Sequence, residues 1–323
     1  MKSTRAWPWP IAFLLALAAG CGPAAQAEPW QPASGLTQIP LWPDGLAIAR
    51  PATTGAELAR TGGGLIGGRT VTAIENVTRP TMTVYPAQGR NTGAAVMVFP
   101  GGGYRILAID LEGSEVCDWL TARGITCVLL KYRVPGSGPH WDEHCRCQLV
   151  PPVPMALQDA QRAMGLLRRR AASLGVDPHR IGVLGFSAGG HLVAAISTHE
   201  ARAYAPVDAA DRESSRPDFA IALYPGHLWA GAGTDLALAA DIHPSAHTPP
   251  TFILQAENDP VDDVRHSLTY FLALKAANAP VEMHLYAEGG HAFGLRPTAL
   301  PITHWPALVE HWLVTINMLP APR

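Results

Sequence analysis

Ile181-Gly182-Val183-Leu184-Gly185-Phe186-Ser187-Ala188-Gly189-Gly190, continued by His191-Leu192-Val193-Ala194-Ala195-Ile196, is the stretch on which the fold turns. An apolar run of strand length feeds a Gly-x-Ser-x-Gly turn and then a helix-like segment, the context in which a nucleophilic serine is presented. Glycines two residues either side of Ser187 leave room for neighbouring backbone and for a substrate. Ser187 is therefore the candidate nucleophile. In a chain with 31 glycines the motif alone is weak, because glycine turns are common punctuation. Its weight depends on what stands before and after it.

Upstream, Ala94 to Phe99 is an apolar run ending at Pro100-Gly101-Gly102-Gly103-Tyr104, residues 113 to 123 have helical spacing with Val116, Cys117 and Leu120 on one face, and Ile125 to Tyr132 is a buried strand. Met155 to Leu174 is a helix stopped by Gly175, and Arg180 to Leu184 is the strand before the serine. Downstream, strands are expected at Phe219 to Leu223, Thr251 to Gln255 and Val281 to Tyr286, with helices at about 262 to 277 and 304 to 318. Such alternation is the pattern of a parallel sheet covered on both faces. Two short strands, Val71 to Val77 and Thr81 to Tyr85, give it an antiparallel beginning, and residues 28 to 70, rich in Pro, Gly and Ala, read as an irregular wrap. Residues 134 to 154 form a long Pro-, His- and Cys-rich excursion, a length more typical of a lid or binding loop than of filler.

A serine hydroxyl attacks only when a base takes its proton and an acid orients that base. His291, in Glu288-Gly289-Gly290-His291-Ala292-Phe293 just past the last strand, is the candidate base. Asp259, at the end of Phe252-Ile253-Leu254-Gln255 and its following loop, is the candidate acid. Glu257, Asp262 and Asp263 are rivals, with Asp262 reading more simply as the N-cap of the next helix. The negative oxygen formed during attack needs fixed N–H donors. Gly102 and Gly103, after an earlier strand, and Ala188, directly after the nucleophile, are the candidates.

Taken together, Gly101-Gly102-Gly103-Tyr104, Lys131-Tyr132-Arg133, Asp159-Ala160-Gln161-Arg162, Asp177-Pro178 through Gly190-His191, and Gly289-Gly290-His291 resemble the bacterial secreted α/β-hydrolases of the acetylxylan-esterase and feruloyl-esterase type, related to hormone-sensitive-lipase esterases. The likeness covers about residues 72 to 318. It implies an α/β-hydrolase fold over 71–323, an ester substrate such as an acetylated plant polysaccharide, and no cofactor or metal. The chain departs from the pattern at Pro100, where relatives carry a His that supports the glycine loop, at Gln255-Ala256 in place of His-Gly, and at Asn258, where an acid is common. His191, Asp159 and Arg162 recur in the pattern but are expected to be structural.

The net charge of −2 and pI near 6.7 leave no basic stripe for nucleic acid. Lys2 and Arg5 followed by the apolar run Ile11 to Ala19 read as an export signal over residues 1–27, with cleavage after Ala27 favoured over lipidation at Cys21. A periplasmic or extracellular location follows, with a lipid anchor at Cys21 as the alternative. Cys117 and Cys127 read as plain buried thiols, whereas Cys145 and Cys147 sit in a polar loop where oxidation is more plausible. Other functions that fit the same residues are an exported serine aminopeptidase or oligopeptidase, a long-chain lipid hydrolase, and a non-catalytic binding lipoprotein.

Overall fold

The computed structural model describes residues 29–53, 55–136, 140–142, 147–149 and 154–320. The export signal with Cys21, and Cys145 of the excursion, lie outside the described residues. Among the described residues thirteen strands are seen: β1 (Gln38–Pro40), β2 (Leu58–Ile66), β3 (Arg69–Glu75), β4 (Thr81–Tyr85), β5 (Ala95–Phe99), β6 (Ile106–Ala108), β7 (Thr126–Lys131), β8 (His140–Asp142), β9 (Cys147–Leu149), β10 (Ile181–Phe186), β11 (Phe219–Leu223), β12 (Thr251–Ala256) and β13 (Val281–Tyr286). The α-helices are α1 (Glu115–Thr121), α2 (Pro154–Arg170), α3 (Ala188–Thr198), α4 (Arg265–Ala276) and α5 (Trp305–Thr315). Among the described residues no helix is long and apolar enough to cross a membrane.

The main sheet runs β1-β4-β7-β5-β10-β11-β12-β13, antiparallel across its first two pairings and parallel from β7 onward. Every residue of β5, β7, β10, β11 and β12 is buried, as the continuous apolar runs require of strands covered on both faces. From β5 the chain crosses to β7 on one side, then returns past β5 to β10 and proceeds to β11 on the other. Right-handed crossovers therefore place α1 opposite α2, α3 and α4. On the α1 face, Trp119 packs edge-on against Trp305 at 5.4 Å and donates to Glu310 of α5 at 3.1 Å. The reversal of direction falls between β5 and β10, and a crevice at the carboxyl ends of such strands is where this architecture binds ligands.

Asp159 and Arg162 serve the scaffold, in line with expectation. Asp159 accepts from the Arg133 side chain at 2.9 Å and from Trp42 Nε1 at 2.7 Å, and Arg162 donates to Leu41 O and pairs with Asp208. Two expectations are corrected. Residues 28 to 70 are not an irregular wrap throughout: β1 pairs with β4, and β2 forms a hairpin with β3, whose ladder continues to β6. Most of β2 faces solvent and holds Gly62-Gly63-Gly64, so neither burial nor propensity marks it, and pairing alone makes it a strand. Nor are Cys117 and Cys127 free thiols, because α1 packs on β7 and brings their Cα atoms to 5.2 Å, where a disulfide joins them.

Candidate active site

Ser187 occupies the elbow between β10 and α3 at φ 52°, ψ −119°, a backbone state that is uncommon for a residue with a side chain. The strain is held by hydrogen bonds on both sides, from Ser187 N to Leu223 O at 3.1 Å and from Gly226 N to Ser187 O at 3.2 Å. Close packing explains the second glycine of the motif: a Cβ on Gly189 would stand 2.0 Å from Phe99 O. With no side chain at Gly189, α3 can lie against the end of β5, which sets Ser187 beside the Gly101-Gly102-Gly103 loop.

His291 and Asp259 meet, as their order in the chain anticipates. His291 Nδ1 lies 2.7 Å from Asp259 Oδ2, a bond in which the ring nitrogen donates. Gln255 Nε2 donates to the same Asp259 oxygen at 3.1 Å, and Gln255 is itself held by Ser267 at 2.8 Å. Asp259 Oδ1 accepts from the amides of Val261 and Asp262 at 2.8 and 3.0 Å. Asn258 Oδ1 accepts from Gly289 N and Gly290 N at 3.0 and 2.9 Å, tying the histidine loop to the acid loop. Both unusual positions, Gln255 and Asn258, thus have partners in the site. The rival carboxylates do not meet the His291 Nδ1: Glu257 is exposed, and Asp263 pairs with Arg265 at 2.7 Å.

Asp262 is a correction. It does not cap α4, whose first residue is Arg265 and whose N-cap is Val264. The helix begins later than its sequence pattern implies, and Asp262 instead turns inward to accept the Ser187 hydroxyl at 3.1 Å. In this structure the serine hydroxyl is bonded to Asp262. Catalytic hydrogen bonds often assemble fully only when substrate binds.

The glycine loop is supported by groups that sequence reasoning did not single out. Glu112 is buried, accepting Gly101 N at 2.8 Å and the Tyr224 hydroxyl at 2.9 Å. Burial raises its pKa, while His291 and these two donors pull the other way. Tyr132 donates to Pro100 O at 2.5 Å. The Tyr104 hydroxyl lies 2.8 Å from His191 Nδ1, so a histidine supports the loop after all, from α3 instead of from position 100. With Asp110 and Glu115 close by in the chain, nothing in the sequence singles out Glu112. Among the described residues the amides of Gly102, Gly103 and Ala188 have no hydrogen-bond partner, which leaves them available to an incoming oxygen. The described residues contain no group of three or more His, Cys, Asp or Glu arranged to hold a metal.

The BD-FAE family model matches residues 144–224. The chain is 29% identical over 224 residues to the acetylxylan esterase of Xylanibacter ruminicola, covering 63% of this chain and 42% of that protein. To endo-1,4-beta-xylanase B of Butyrivibrio fibrisolvens it is 27% identical, covering 61% of this chain and 32% of that protein. It therefore spans less than half the length of these curated relatives. Among solved structures, an acetyl ester-xyloside bifunctional hydrolase from Caldicellulosiruptor lactoaceticus matches with a TM-score of 0.65 at 29% identity, over 88% of this chain and 97% of that one. A thermophilic esterase of Thermogutta terrifontis shares the fold, with a TM-score of 0.59 at 22% identity over 75% of this chain and 89% of that one. The chain thus has the α/β-hydrolase fold and is similar to an acetylxylan esterase and to an acetyl ester-xyloside bifunctional hydrolase, with a BD-FAE match over residues 144–224.

Proposed function

We propose that the protein is a serine carboxylic-ester hydrolase that works through an acyl-enzyme and removes short acyl groups, acetyl above all, from polysaccharide or small-molecule esters. The observation that carries this reading is the convergence at the carboxyl ends of β5 and β10 of a strained serine, a His291–Asp259 pair at 2.7 Å and a glycine loop with unpaired amides. Similarity to an acetylxylan esterase and to an acetyl ester-xyloside hydrolase supports the choice of acetyl.

In the proposed reaction the Ser187 hydroxyl swings from Asp262 to the Nε2 of His291. Its oxygen bonds the ester carbon, the carbonyl electron pair moves onto oxygen, and the proton passes to Nε2 while Asp259 steadies the imidazolium. Gly102, Gly103 and Ala188 donate to the oxyanion, each such donor being worth roughly 3 to 4 kcal/mol of barrier. Collapse breaks the bond to the alcohol, which leaves with the proton from His291. Water, deprotonated by the same nitrogen, then releases the acid.

Export to the periplasm or beyond, by cleavage after Ala27 or with a lipid anchor at Cys21, belongs to the same proposal. A disulfide between Cys117 and Cys127 supports it, since such bonds persist in oxidising compartments. The substrate is tested by measuring acid released from acetylated xylan, feruloylated arabinoxylan and p-nitrophenyl esters of rising chain length, beside aminoacyl-naphthylamides. Acetate release from acetylated xylan and a preference for short chains are expected. Faster turnover of the naphthylamides or of long-chain esters would overturn the reading.

A further inference from the structure

The loop between β12 and α4 carries two carboxylates into the site, and the mechanism above uses one. Asp262 Oδ2 accepts the Ser187 hydroxyl at 3.1 Å and lies 3.7 Å from His291 Nε2, the ring nitrogen opposite the one bonded to Asp259. Its placement is fixed from both sides, with its amide donating to Asp259 Oδ1 at 3.0 Å and its carbonyl accepting from Gln255 Nε2 at 2.7 Å. The position opposite is cleared for it, because a Cβ on Gly226 would stand 2.5 Å from Asp262 Oδ1. Burying a carboxylate is costly unless it is paired. Asp262 is only 5% exposed, and the cation it faces is the one that His291 becomes during catalysis.

We propose that Asp262 is a working second carboxylate of the site, holding the serine hydroxyl in the resting enzyme and stabilising, across Nε2, the imidazolium formed when the serine attacks. The inference rests on the serine-esterase reading above. In it His291 is flanked by two carboxylates, Asp259 fixing the tautomer through Nδ1 and Asp262 adding charge on the side where the proton arrives. When the hydroxyl leaves Asp262 for Nε2, the vacated carboxylate oxygen is free to face the new cation.

The groups around the ring fix the sign of the pH dependence. Asp259 and Asp262 reach His291 from the β12–α4 loop, Glu112 acts on it from the turn before α1 and His227 from the loop after β11, and the Tyr224 ring packs against it at 5.0 Å. Burial lowers the His291 pKa, but the Asp259 hydrogen bond and the charges of Asp262, Asp259 and Glu112 together raise it above its ordinary value. Burial also pushes Asp262 up to about 6, against the pull of His291 and with the Asp259 charge adding to the rise. His291 accepts a proton only when neutral, so the reaction of Ser187 is lost as pH falls through the raised histidine value. Removing the Asp262 charge must then move that loss to lower pH.

The test is the pH dependence of the rate at which a fluorophosphonate probe labels Ser187 in the full chain, which requires no knowledge of the ester substrate. Asp262→Asn keeps the shape and an acceptor for the hydroxyl but removes the charge, and Asp262→Ser provides a second, smaller replacement. In both, the acid limb is expected about one pH unit below that of the wild type, the lower end of the shift that an opposite charge at this distance produces. An acid limb at the wild-type pH, in a variant with wild-type circular dichroism, would overturn the inference. Ser187→Ala separates this from failure of the parent reading: if the probe still labels that variant, the nucleophile is misassigned, whereas labelling lost there with an unshifted limb in Asp262→Asn sinks only the role of Asp262.

Discussion

Gly189→Ala places a methyl group at the tightest point of the elbow. The new Cβ would lie 2.0 Å from Phe99 O, 2.8 Å from Phe99 C and 3.0 Å from Pro100 O, all backbone atoms, whereas ordinary contact begins at 3.4 Å. Nothing at the end of a flexible side chain can give way. Either α3 withdraws from β5 or the β5 end shifts, by about 1.4 Å in the closest direction if contact is to be restored. The two partners of that contact carry Ser187 and the Gly101-Gly102-Gly103 loop, so the displacement is the one that separates the nucleophile from the oxyanion donors. Misplacement of about 1 Å can cost on the order of 10²-fold in rate, and overpacking a close-fitted core costs about 1 to 3 kcal/mol in stability. Measured kcat/KM for p-nitrophenyl acetate should fall by at least about 10²-fold, with a clear drop in Tm. Gly62→Ala, where a Cβ meets nothing within 4 Å, serves as the control. Wild-type kcat/KM and Tm in Gly189→Ala would refute the argument that this contact sets the site.

Three further expectations follow from the same geometry. Asp259→Asn should lower kcat by about 10⁴-fold through loss of the correct histidine tautomer, and the loss should exceed that in Asp262→Asn; the reverse ranking in steady-state kinetics would exchange the roles of the two carboxylates. Glu112→Ala leaves the Gly101 amide and the Tyr224 hydroxyl without their acceptor, so kcat should fall by about 10²-fold with KM little changed; equal loss in stability-matched Glu112→Gln, which keeps an acceptor, would contradict a positioning role. Cys117→Ala with Cys127→Ala should cost about 2 to 4 kcal/mol in urea unfolding while leaving the active-site geometry intact, and unchanged stability would show that the bond contributes nothing.

The parts of the fold that could be read from the chain were those buried on both faces. Ala95 to Phe99, Phe219 to Leu223 and Thr251 to Ala256 stand within a residue of their expected places, because a strand in the middle of a parallel sheet must be apolar throughout or nearly so. Strand β2 was not legible, since its exposed residues and three glycines carry no period, and its order comes from the partner strand. The pairing of His291 with Asp259 was legible because the chemistry demands an acid and a base in sequence after particular strands. The inward turn of Asp262 was not. Three residues before a helix, an aspartate resembles a cap, and only the room left by Gly226 and the late start of α4 show that it faces the serine. Likewise, the Cys117–Cys127 bond depends on how α1 lies against β7, which is a property of packing and not of local pattern. Glu112 belongs to the same class: a buried acid is intelligible only once the glycine loop and Tyr224 are seen to converge on it.

In the proposed reaction Ser187 carries the acyl group. Rapid acid quenching during turnover of p-nitrophenyl acetate, followed by peptide mass spectrometry, measures this directly. One acetyl group is expected on the peptide containing Ser187, present during turnover, absent after substrate is exhausted, and absent throughout in Ser187→Ala together with the activity. Hydrolysis at the wild-type rate by Ser187→Ala, or an acetyl group trapped on a different residue, would contradict it.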